Sequence, residues 1–171
     1  MQVVKKIFFF LLVLWLALLF FMPKQELYYK LETELAKNDI KINEQSIDEG
    51  FFSLTLNNAT VYVKGIALAS IEKIDFFTVL FYTNIEFNSL NLDDSLSHFA
   101  PTKIDTLSAT HAIWNPINVE IKAQGAFGST EGEASLLDRT IRLDFNETKH
   151  LGILKSNLKK DQKGWFYETT F

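Results

Sequence analysis

The stretch INVEIKAQGAF, residues 117–127, has the most regular pattern in the chain. Its side chains alternate between apolar or small residues and polar ones, which is the period of a β-strand with one buried face. The stretch TIRLDF, residues 140–145, repeats this alternation, and Asp138-Arg139 just before it is typical of a hairpin turn. The pattern predicts antiparallel strands that share an apolar face.

The apolar face of these two stretches has two interpretations. It is either the closed core of the domain or an accessible groove that holds acyl chains or a partner strand, since an apolar face of this size is a liability in water. If it is a core, Ile121→Asp should unfold the domain, whereas in a groove the same change should abolish binding. The residues proposed for this face are Ile117, Val119, Ile121, Phe127, Ile141, Leu143 and Phe145.

Towards the N-terminus the same period continues. In residues 52–57, Phe52, Leu54 and Leu56 alternate with polar side chains. Asn57-Asn58 then either forms a tight turn or lies within one long strand. At Asn88-Ser89 the apolar positions change parity, which indicates a bulge or a change of face.

Towards the C-terminus the pattern changes twice. Leu151, Leu154 and Leu158 have helical spacing and predict a short helix, and residues 164–171 read as a last strand. Eight or nine strands with sequential hairpins predict a mainly β domain with few helices (α+β). Its sheet is expected to be curved and mostly antiparallel.

The N-terminal stretch, residues 1–23, is interpreted as an uncleaved transmembrane anchor. Residues 7–22 carry no charge and would span roughly 24 Å as a helix, close to the hydrocarbon core of about 30 Å. A cleaved signal peptide is the alternative, but the small-x-small cleavage site is missing; a buried soluble helix is a third interpretation. The proposed anchor positions are Ile7, Phe10, Leu14, Leu18 and Met22.

After the anchor, residues 24–39 have a helical period and are predicted to form a membrane-proximal amphipathic helix, lying on the bilayer or capping the sheet. Residues 40–171 form the predicted β-rich domain. A short N-terminal tail and a long exported domain favour a single pass with a cytoplasmic N-terminus.

Composition excludes several classes of protein. The formal net charge of −4 gives no basic stripe for nucleic acid. The chain has no cysteine, so disulfides, thiolate catalysis and cysteine-ligated metals are excluded.

Motifs for chemistry are equally sparse. His98, His111 and His150 show no ligand spacing, and the glycines of residues 125–132 match no phosphate loop. We therefore expect no catalytic residue, metal or cofactor. Asn146 begins an N-x-T acceptor with an acid two residues upstream and is a candidate glycosylation site.

The order of these features resembles the N component of type II secretion systems and the related AsmA-like proteins of Gram-negative envelopes. The resemblance covers most of residues 7–145: the anchor ending in Pro23, then ELYYKLETELAKNDIKI, FFSLTLNNATVYVKGIALASIEKI and AQGAFGSTEGEASLLDRTIRLDF. It implies an inner-membrane anchor and a curved periplasmic sheet, and it brings no catalytic residues.

The function expected from this resemblance is non-enzymatic. It implies a role in secretion-complex assembly or in the handling of envelope lipids. The alternatives are a bitopic lipopolysaccharide-transport component with a jelly-roll groove, or a structural subunit of a secretion or motility machine. The expected partners are the inner membrane, envelope proteins and lipid, without nucleic acid.

Overall fold

The computed structural model describes residues 2–21, 23–79, 81–97, 101–146, 151, 155, 157–162 and 164–171. These residues form two α-helices, a short 3-10 helix (Asp94–Leu96) and one mostly antiparallel sheet of 11 strands, which confirms the prediction of a mainly β fold. The elements are α1 (Gln2–Phe20), α2 (Lys24–Ala36), β1 (Ile40–Asn43), β2 (Ser46–Glu49), β3 (Ser53–Val63), β4 (Ile66–Val79), β5 (Tyr82–Leu92), β6 (Lys103–Ala112), β7 (Asn115–Gly125), β8 (Gly128–Ser135), β9 (Thr140–Phe145), β10 (Lys159–Asp161) and β11 (Gly164–Thr170).

The sheet is a meander in which neighbours in sequence are neighbours in space. From β3 to β9 each strand pairs with the next one, and β11 then pairs with β9. At the first edge, β1 and β2 both pair with β3, and β10 pairs with β11 at the last edge. Short connections of this kind follow directly from the turn residues between the alternating stretches.

The ambiguous Asn57-Asn58 pair lies inside one long strand. Asn58 has a φ of 50°, and Ser89 on the other side of β4 has a φ of 54° at the same level of the sheet. On β4 between them, Ile71 and Ile74 both belong to the core although they are three residues apart. The strands therefore change face at this level, which confirms the change of parity predicted at Asn88-Ser89.

The predicted late helix is wrong in its last part. Residues 159–161 form strand β10, because they pair with residues 164–166 of β11. Gly164, the first residue of β11, has a φ of 135°. Leu151 is buried and Leu158 packs against the core, whereas Leu154 lies outside the described residues.

Helix α2 packs on the first strands through Tyr28, which is 4% exposed. The Tyr28 hydroxyl donates a hydrogen bond to Glu44 Oε2 at 2.8 Å, and Lys24 contacts Glu49 at the end of β2. Burial of the phenol, together with that hydrogen bond, raises the pKa of Tyr28 well above its usual value. Helix α2 thus lies over β1–β3, as a cap on one side of the sheet.

Candidate functional site

One face of the sheet carries apolar side chains in two cross-strand rows. The strand register places them directly opposite one another from β3 to β11. We call the first the inner row: Leu56, Ile74, Phe87, Leu107, Ala123, Thr130, Phe145 and Trp165. We call the second the outer row: Leu54, Phe76, Ile85, Ala109, Ile121, Gly132, Leu143 and Tyr167.

The inner row is more deeply buried than the outer row. In the inner row Leu56 is fully buried and Ile74 is 2% exposed, whereas Phe145 is only partly buried. In the outer row Leu54 is buried, and Ile121 and Leu143 are partly exposed. The same face is therefore a packed core along much of the inner row, as far as Thr130 in β8, and a partly open surface along the outer row beyond Leu54.

Two apolar cavities lie on this face. The first, about 210 Å³, lies between α2 and the sheet and is lined by residues that include Leu27, Phe52 and Phe76. The second, about 240 Å³, lies over the later strands. An apolar cavity of about 150 Å³ is enough to hold benzene, so each can hold a length of hydrocarbon. The second cavity is lined by Pro101, Ile104, Leu107, Ile121, Ala123, Phe127, Thr130, Leu143, Phe145, Leu158 and Tyr167.

The walls of the second cavity offer little to a polar ligand. Thr130 is the buried polar side chain there, and its hydroxyl donates a hydrogen bond to the backbone oxygen of Asp144 at 2.7 Å. Among the described residues, no buried side-chain nitrogen or oxygen lacks a hydrogen-bond partner. The second cavity therefore suits a hydrocarbon group, since no buried polar atom there awaits a ligand.

The structure brings four of the seven proposed groove residues together. Ile121, Phe127, Leu143 and Phe145 line the second cavity. Val119 and Ile141 lie on the same face but do not line the cavity. Both are paired with Ala134 of β8, Val119 from β7 and Ile141 from β9.

Ile117 and Phe127 differ from the expected alternation. Ile117 is 46% exposed where the pairing of β6 and β7 is irregular, and Phe127 is 3% exposed in the β7–β8 turn rather than in a strand. Sequence reasoning placed Ala123 on this face but missed Ile104, Leu107 and Tyr167, because only the cross-strand register shows that they face the same space.

Helix α1 exposes apolar side chains on all sides. Of the proposed anchor positions, Ile7, Phe10, Leu14 and Leu18 are exposed, and Met22 lies outside the described residues. Across the part of the chain that the structure describes, no helix combines the length and the apolar character needed to cross a membrane.

The remaining candidates show no assembled chemistry. The Nε2 atom of His111 lies 3.3 Å from the backbone oxygen of Pro116. His98 and His150 lie outside the described residues. Exposed Asn146 donates to Ser129 Oγ at 3.0 Å, and Thr148 of its acceptor motif is also outside them. The described His, Asp and Glu side chains form no group of three or more that could hold a metal ion.

Comparison with known proteins adds no relative. No family model, no curated protein and no solved structure matches the chain. The resemblance to the type II secretion N component and to AsmA-like proteins therefore stays a prediction.

Proposed function

We propose that this chain is a non-enzymatic, membrane-anchored protein of the Gram-negative envelope that holds lipid acyl chains on the apolar face of its sheet. The observation that carries the proposal is the partly exposed stretch of the outer row, from Ile121 to Tyr167, beside the second cavity. A face of this kind needs an apolar cover, and hydrocarbon chains match both its composition and its row-like shape.

Membrane anchorage is proposed from α1. A helix that is apolar all round normally lies in a core or in a membrane, and the exposed phenylalanines Phe8, Phe9 and Phe10 lie against no core. Nineteen residues span roughly 28 Å as a helix, slightly less than the hydrocarbon core. Crossing would therefore rely on Lys5 and Lys6 snorkelling and on local thinning of the bilayer.

The proposed location is the inner membrane, with the N-terminus in the cytoplasm and the sheet in the periplasm. It follows from the predicted topology and from the resemblance to type II secretion N components and AsmA-like proteins. The strand order bears on the jelly-roll alternative, because a jelly roll contains Greek keys whereas the described strands form a meander. Assembly of a secretion machine is the rival role and is an outcome of the experiment below.

Mass spectrometry of the detergent-purified full chain, reading lipids and proteins together, tests the binding role. We expect phospholipid or another acylated lipid to co-purify with the wild type and to be lost from Ile121→Asp. The matched control is Gln124→Asp, which adds the same charge at an exposed position on the opposite face of β7. It should keep its lipid. Lipid retained by both variants would show that only α1 binds it, and stoichiometric protein partners without lipid would favour the scaffold role.

The anchor is tested separately. The full chain should keep Met1 or Gln2 at its N-terminus and should stay in the membrane fraction after carbonate washing. A reporter fused after Phe171 should be active only outside the cytoplasm. A mature N-terminus near Pro23 would contradict the anchor, and reporter activity in the cytoplasm would reverse the topology.

A further inference from the structure

The two ends of the sheet carry opposite kinds of turns. At one end, which we call the apolar end, exposed apolar side chains occupy the connections β2–β3, β4–β5, β6–β7 and β8–β9. At the other end, which we call the polar end, the described turn residues include Lys64, Gly65, Asp93 and Asp94. The exposed residues of the apolar end are Phe51, Phe81, Ile113, Trp114, Leu136 and Leu137.

Packing within the fold leaves these side chains largely exposed. Phe51 is 67% exposed, and Trp114 and Leu137 are each 74% exposed. By contrast Phe127, in the β7–β8 turn at the polar end, is folded back into the core at 3% exposure. Four successive turns that all present large apolar groups to the outside form a patch of the kind that marks an interaction surface.

Helix α1 arrives at this same end. The ring of Phe20 stacks on that of Phe51 with centroids 4.8 Å apart, and Trp15 lies 5.4 Å from Phe81. Two of the four apolar turns thus contact the helix that we assign to the membrane. The exposed apolar side chains of the four turns are therefore continuous with the anchor. The bilayer is then the surface nearest to the β6–β7 and β8–β9 turns.

The chemistry of the turns also fits a lipid surface. Tryptophan is enriched at the boundary between headgroups and hydrocarbon, because its ring is apolar and its N–H remains hydrated. Arg139 lies in the same β8–β9 turn as Leu137, and a guanidinium there can bind lipid phosphate. Exposed tryptophan and arginine side chains in neighbouring turns of one surface are typical of an interfacial anchor.

We propose that the apolar end of the sheet docks on the outer leaflet of the membrane that holds α1, with Trp114 and Leu137 inserted at the level of the headgroups. The docking rests on the proposed insertion of α1. It sets the strands upright on the bilayer and places the first cavity, which includes Phe52 and Thr78 at this end, next to the lipid. The apolar face would then continue directly from the hydrocarbon of the membrane.

The test places one tryptophan in the full chain, reconstituted in vesicles of phosphatidylethanolamine and phosphatidylglycerol with brominated acyl chains. In the first variant, Trp15→Phe and Trp165→Phe leave Trp114 as the single reporter. The matched control also carries Trp114→Phe and Ile66→Trp, since Ile66 is 63% exposed at the polar end. Far-ultraviolet circular dichroism checks that both variants keep the wild-type fold.

We expect Trp114 to be quenched several-fold more by the brominated lipid than the control tryptophan, and several-fold less by aqueous acrylamide. Equal quenching of the two by acrylamide, with no effect of bromine, would overturn the docking. Protection from acrylamide without quenching by bromine would also overturn it, because a protein would then cover Trp114. Flotation of the vesicles separates the two proposals. If the chain floats with the vesicles but Trp114 is exposed to water, docking alone is refuted. If the chain does not float with the vesicles, the anchor is refuted as well.

Discussion

The same substitution at two isoleucines of the apolar face distinguishes a packed core from an open surface. Ile74 in the inner row is 2% exposed and lies between Leu56 and Phe87. Ile121 in the outer row is partly exposed and lies between two small residues, Ala109 and Gly132. Ile74→Asp and Ile121→Asp therefore make an identical chemical change in two different surroundings.

The expected magnitudes follow from burial. Replacing Ile74 forfeits the roughly 1.5–3 kcal/mol of a fully buried side chain and leaves a buried carboxyl without a partner, which costs at least about 1–3 kcal/mol more. The sum of at least about 2.5–6 kcal/mol reaches the lower end of the stability of a typical domain, about 5–15 kcal/mol, and burying the ionised carboxylate at neutral pH raises the cost further. At Ile121 the apolar loss is roughly half as large, and the carboxylate can stay hydrated through the open side of the face.

Urea denaturation of the full chain in mild detergent, followed by circular dichroism, measures both effects. We expect Ile121→Asp to keep a cooperative transition with a loss of about 1–2 kcal/mol, and Ile74→Asp to lose the transition at neutral pH. Equal losses in the two variants would refute the division of this face into core and open surface. The face would then be an ordinary closed core.

Two further predictions concern single contacts. Gly132→Ala should lower the free energy of unfolding by about 1–3 kcal/mol, because the added Cβ would meet the Arg142 carbonyl oxygen and lie 2.8 Å from Leu143 Cα in β9. The control is Gly50→Ala, whose Cβ would meet the Ser53 hydroxyl, a side-chain end that can move. Urea denaturation should show a much smaller loss of stability for this control. Tyr28 should add a pH dependence. Its folded pKa is raised, so above about pH 10 the unfolded chain loses a proton that the folded chain keeps, and stability falls by up to about 1.4 kcal/mol per pH unit. Below that pH its contribution is fully present. Tyr28→Phe should flatten this decline in urea midpoints measured from neutral to alkaline pH, and an unchanged decline would contradict the assignment to Tyr28.

The strands were largely predictable because alternation is a local signal. Residues 140–145 and 164–171 contain β9 and β11, and residues 117–127 cover all of β7 except its first two residues. The turn at Arg139 has a φ of 52° as the Asp138-Arg139 pair suggested. The strand count was too low, since β1, β2 and β10 have only three or four residues each and are too short to show a period.

The failures have a shared physical origin in non-local pairing. The leucines around residue 158 do have helical spacing, but residues 159–161 are held as a strand by pairing with β11, with Lys160 over the Trp165 ring at 5.6 Å. The cavity over the later strands was likewise only half predicted. Ile104 and Tyr167 reach it because of the strand register, which no single stretch of sequence specifies.

Photo-crosslinking in living cells tests the central claim most directly. A benzophenone amino acid in place of Phe145, which lines the second cavity, should form an adduct with an acylated lipid that is detected by mass spectrometry of the purified chain. The same group in place of Asp144, whose side chain points to the opposite face and pairs with Arg142, should form no such adduct. A lipid adduct at Phe145 alone is the result that we predict. Equal lipid labelling at both positions, or crosslinks from Phe145 only to protein, would contradict lipid binding on the apolar face.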